Sequence, residues 1–159
     1  MVSRTLEGIM KALKVLGAVC LVGMTLLTFI DVVGRYFGHP VFGSVEMVGF
    51  MATLAVAMAL PYTHHVQGHI GVEILVRLLP ERARVLIDVV TGLLGLMLFA
   101  IVTWQMTLYA SDMRASGEVS ISLELPEYVV IYAVAFCLLI FTGIIAKNIV
   151  NNIKRLRAK

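Results

Sequence analysis

Residues 89–109 read VVTGLLGLMLFAIVTWQMTLY, and this stretch decides the fold. It holds 21 positions without a charge, about the ~20 residues that cross ~30 Å of hydrocarbon as a helix. A membrane-barrel strand alternates apolar and polar side chains over about 10 residues, whereas this run is apolar on every face. Inside hydrocarbon each backbone amide must find its partner within its own segment, so the run is a helix.

Three further runs share this character: 12–30, interrupted only by Lys14, then 47–63 and 128–146, both free of charge. The whole chain of 159 residues is 60% hydrophobic and 14% charged, with mean hydropathy +0.95. A soluble domain carries about a quarter charged residues, so the excess apolar surface must face lipid. The expectation is an all-α integral membrane protein forming one four-span domain over 1–159. Its spans fall at about 12–32, 45–63, 85–110 and 127–148, lengths suited to bilayer crossing.

The net charge of +3 matters through its distribution and does not imply nucleic acid. Eleven of the 13 basic residues lie before span one, between spans two and three, or after span four. Only Arg35 and Arg114 lie on the other side. Four spans place both termini and the middle loop on one face, which the positive-inside rule makes cytoplasmic. The first run is read as a retained span, because Asp31-Val-Val-Gly-Arg35 follows it where a cleaved signal peptide would have a small-residue site. Cys20 and Cys137 fall inside apolar runs and form no CxxC or disulfide framework.

Two joints carry the remaining information. The outer turn, 31–46, reads DVVGRYFGHPVFGSVE. Its three internal glycines with Pro40 predict a compact bend, and Tyr36 and Phe37 suit the aromatic belt. Ser44 is placed to cap the second helix, with Glu46 in its first turn, where the helix dipole favours an anion. In the cytoplasmic loop, Ile74, Leu75, Leu78 and Leu79 share one helical face, and Glu73 and Arg77 lie four apart. These positions predict a short amphipathic interfacial helix at about 70–79, between spans two and three, with Pro80 opening the third span.

The candidate polar residues read as structural. Asp31 and Arg35 are four apart and suit a charge pair that fixes the turn; the alternative is a proton or cation site, since intramembrane charge is functional by default. Glu46 reads as cap and anchor before coupling site, and Asp88 as the i,i+4 partner of Arg84. His64, His65 and His69 raise the possibility of a metal or haem site, but no cysteine lies near and Gly68 interrupts the helix. Trp104 and Gln105 suit a helix–helix contact, and Gly92 and Gly95 suit close helix approach. No nucleophile–base pair, catalytic carboxylate pair or phosphate loop is present, so an enzyme is not expected, nor is a cofactor in this chain. No span carries a central charge or a broken-helix pair, which suggests an accessory subunit.

Asp31-Val-Val-Gly-Arg35-Tyr36, then Pro40, then Ser44-Val-Glu46, resembles the small permease (DctQ-type) subunit of tripartite ATP-independent periplasmic (TRAP) transporters. Gly68-His69-Ile70-Gly71-Val72-Glu73, followed by Leu79-Pro80, Arg82 and Arg84, resembles the same family's second signature, with Glu73 where the family often has Asp. The order and spacing of these motifs, with span number and length, cover essentially the whole chain. The resemblance implies a role in sodium-driven import of organic acids across a bacterial inner membrane. A periplasmic binding protein would deliver the carboxylate, a large permease subunit would hold the sodium and substrate sites, and this chain would pack against it as scaffold. Asp31, Arg35, Glu46 and His69 are the polar positions that fit the family pattern, as structural or assembly candidates. Two other readings remain: a homodimeric small multidrug or cation carrier, whose glutamate would lie well inside the first helix, and a membrane haem or redox protein.

Overall fold

The computed structural model of the chain describes residues 2–65 and 81–157. Four helices account for nearly all of them: α1 (Val2–Tyr36), α2 (Ser44–His65), α3 (Glu81–Ser116) and α4 (Glu127–Arg157). All four are long and apolar enough to cross a membrane. The interfacial helix expected at 70–79, with His69 and Pro80, falls outside the described residues. The protein is an all-α membrane protein of four spans.

The threonine hydroxyls within the spans are satisfied in the way hydrocarbon demands. The hydroxyls of Thr25, Thr28, Thr53, Thr63 and Thr91 each donate to the carbonyl four residues earlier, at 2.7–3.0 Å. A threonine that bonds back to its own helix presents only its methyl group to lipid. At about 1.5 Å per residue, the 35 residues of α1 and 36 of α3 extend over 50 Å or so. Both therefore outrun the ~30 Å hydrocarbon, and tilt or project beyond it.

Short connections suggest one small bundle; the packing is instead an open row. α1 packs on α2, α2 on α4, and α4 on α3, and no other pair meets extensively. The helices in the middle are accordingly the better covered. The most apolar stretch of α4 is 33% buried, while none of the corresponding stretch of α3 is buried. Lipid is as apolar as leucine, so helices associate in it through close fit and not through expulsion of water. The close fits occur where side chains are small. Gly17 of α1 sits against the Ala55 backbone of α2, where an added Cβ would lie 3.3 Å from the Ala55 carbonyl oxygen. Gly92 of α3 sits against Ile149 of α4, at 2.9 Å on the same measure.

Larger groups fill the rest. Phe99 and Phe141 meet edge-to-face at 4.6 Å between centroids, a favoured aromatic geometry. Thr103 and Thr142 bring their hydroxyls to 3.4 Å across the same α3–α4 seam. Leu13, Ala57 and Cys137 form a buried cluster from α1, α2 and α4. Two expectations fail here. Gly95 has nothing near its Cβ position, so it serves no close approach within this chain, and Trp104 is 67% exposed, with most of its ring outside the helix seams.

Candidate functional site

The polar chemistry gathers at one end of the row, where the α1–α2 and α3–α4 turns lie side by side. α1 runs out at Tyr36, and the amides of Phe37, Gly38 and His39 donate back to Val33, Arg35 and Gly34. Gly38 is left-handed, with φ 78°, the conformation that ends a helix at least cost in glycine. Gly34 is required for a different reason: a Cβ there would strike the His39 carbonyl oxygen.

Asp31, only 8% exposed, organises this turn. Its Oδ2 accepts from Arg35 Nε at 2.8 Å and its Oδ1 accepts from the Val41 amide at 2.9 Å. The buried Ser44 side chain stands against the same carboxylate. One side chain thus grips the end of α1, the far limb of the turn and the start of α2. Arg35 contributes its single bond from an exposed position.

Glu46 reaches further than its place in the first turn of α2 suggests. Its Oε1 accepts from the Ser122 amide at 2.7 Å and its Oε2 from the Leu123 amide at 3.1 Å. Both donors belong to the α3–α4 turn. Successive amides converging on one carboxylate form an anion nest, and the start of α2 adds its dipole. The receiving turn is tightly built. The Ser120 amide donates to the Leu125 carbonyl at 2.9 Å, the Leu125 amide donates to Ser120 Oγ at 3.3 Å, and Glu124 holds a left-handed φ of 52°. Gly43 (φ 69°) is left-handed and faces the Leu123 side chain, which a Cβ there would displace.

Asp31, Arg35 and Glu46 therefore belong to one polar clasp, although Arg35 pairs with Asp31 and not with Glu46. The sequence does not point to the Ser120–Leu125 turn. No local signal marks it, because its partner lies 76 residues away at Glu46. At the opposite end, His64 packs edge-on to Phe141 at 5.4 Å. No group of three His, Cys, Asp or Glu side chains suited to a metal occurs among the described residues. His69 lies outside them.

The clasp uses the residues of the Asp31–Glu46 motif to join two helical hairpins, which is an architectural use of charge. A family described as "Tripartite ATP-independent periplasmic transporters, DctQ component" matches residues 24–155. The chain belongs to this family. The match takes in the whole clasp, the last 13 residues of α1, and α4 to within two residues of its end. No curated protein and no solved structure gives a significant match. As a DctQ component, the chain is a membrane-spanning part of a transporter, and the family implies a complex with a large permease and a binding protein.

Proposed function

We propose that this DctQ component is the scaffold subunit of a sodium-driven TRAP transporter that imports organic acids. The carrying observation is that no Asp, Glu, Lys or Arg occurs within 15–30, 47–63, 89–111 or 128–146, while Asp31 spends its carboxylate oxygens on Arg35 and the Val41 amide, and Glu46 on the Ser122 and Leu123 amides. Charged groups at mid-membrane are the usual mark of a substrate or ion site, and these spans carry none there. On this reading the large permease holds the sodium and the carboxylate, and a periplasmic binding protein delivers the substrate. The DctQ component offers an apolar packing surface, contains no transport path and performs no catalysis. The weight of basic residues at the termini and middle loop supports cytoplasmic termini in the inner membrane, with the clasp on the periplasmic side.

Reconstitution in proteoliposomes with an imposed sodium gradient tests the proposal. The DctQ component alone should accumulate no carboxylate, and uptake should require the large permease and the binding protein together. Sodium-dependent uptake by the isolated chain would sink it.

A further inference from the structure

The clasp accounts for Asp31, Arg35 and Glu46, but not for the cation at the other end of α1. Lys14 lies seventeen residues before Asp31, about 25 Å along the helix axis, and inside the apolar span Glu7–Tyr36. That places it at the far hydrocarbon boundary from the clasp. Its Nζ sits 4.2 Å from the centroid of the Tyr62 ring on α2. A ring face attracts a cation without neutralising it. The single ion pair among the described residues is Asp31–Arg35, so Lys14 has no carboxylate partner there. Lys11, one turn away on α1 and exposed, has none either. Two like charges at i,i+3 repel, and a shared anion would relieve both.

We propose that Lys14 and Tyr62 form a binding site for the headgroup of an anionic phospholipid, in the leaflet at the amino-terminal end of α1. Charge complementarity selects the anion: the phosphate accepts from Lys14 Nζ, with Lys11 within the same field, and the Tyr62 phenol supplies a further donor. The surroundings select a lipid over free phosphate. Ala18 and Leu21, one and two turns on from Lys14 on the same face of α1, stand exposed toward mid-membrane, an apolar track for the acyl chains. Basic positions between spans at a membrane interface bind anionic headgroups through this combination of charge and apolar wall. The site holds the α1–α2 seam at the end opposite the clasp, just beyond the Gly17–Ala55 contact.

Native mass spectrometry of the purified full chain, with phosphatidylglycerol or phosphatidylcholine added to the micelle, tests the site. The first phosphatidylglycerol should be retained in preference to phosphatidylcholine. Lys14→Gln should cut that retention about fivefold, the effect of one interfacial cation. Lys14→Arg should preserve it, and Tyr62→Phe, which keeps the ring, should lower it less than Tyr62→Leu. Lys147→Gln removes a positive charge at the same end but from α4, and should leave retention within about twofold, as diffuse charge falls off within a Debye length. Equal losses from Lys14→Gln and Lys147→Gln would overturn the proposal in favour of diffuse attraction. Equal retention of the two lipids, or displacement by inorganic phosphate, would overturn it as well.

Discussion

The Glu46 carboxylate accepts the Ser122 amide at 2.7 Å, across 76 residues of sequence. With the Leu123 amide on its second oxygen, it ties the turn of one hairpin to the first turn of the other. The contact lies where the α2–α4 seam begins, and that seam is what joins the two hairpins of the row.

Glu46→Gln keeps one good acceptor and leaves one amide of the nest unpaired, and Glu46→Ala leaves two. Each unpaired group costs about 1–3 kcal/mol, so destabilisation should increase from Gln to Ala. Hydrogen exchange should show lost protection at Ser122 and Leu123 while the middle of α4 stays protected. Unchanged exchange at those two amides would count against the contact.

Asp31 and Arg35 form one pair with unequal stakes. Arg35 is exposed, so Arg35→Ala should change the stability of the isolated chain by less than about 1 kcal/mol. Asp31→Ala also removes the acceptor for the Val41 amide and should cost about 1–3 kcal/mol more. Thermal unfolding in detergent measures the ranking. If Arg35 serves assembly, Arg35→Ala should still reduce co-purification with the large permease; a normal complex with unchanged uptake would remove that role.

Gly34 and Gly38 separate two uses of glycine within one turn. Gly34→Ala drives a methyl into the His39 carbonyl and should cost about 1–3 kcal/mol, as overpacking does. Gly38→Ala meets nothing and suffers only the left-handed φ, roughly 1–2 kcal/mol. Gly34→Ala should also broaden backbone resonances from Asp31 to Ser44, whereas Gly38→Ala should leave Asp31 undisturbed. The reverse pattern would show that close approach is not what selects glycine at Gly34.

Gly92→Ala should loosen the α3–α4 seam because its Cβ lies 2.9 Å from Ile149, and Ile149→Val should restore part of the loss. Gly95→Ala, with open space around it, should be neutral or better, since alanine is the stronger helix former. Cysteine cross-linking between Thr103 and Thr142 positions, which adjoin across this seam, reports the separation directly. Equal effects of Gly92→Ala and Gly95→Ala would refute the assignment of close approach to Gly92.

The amino-acid sequence alone determined that four helices span a membrane, because run length and unbroken hydropathy leave no other way to satisfy the backbone in hydrocarbon. It also marked Asp31, Arg35 and Glu46, since charged groups at the edges of apolar runs have few uses. It did not determine what Glu46 grips or how the helices are ordered. The Ser122 and Leu123 donors are backbone amides, which every residue carries, so no side-chain pattern announces them. The order α1–α2–α4–α3 rests on fits such as Gly92 against Ile149. A helix face turned to another helix is as apolar as one turned to lipid, so Gly95 and Gly92 look alike in sequence and only the tertiary structure tells them apart.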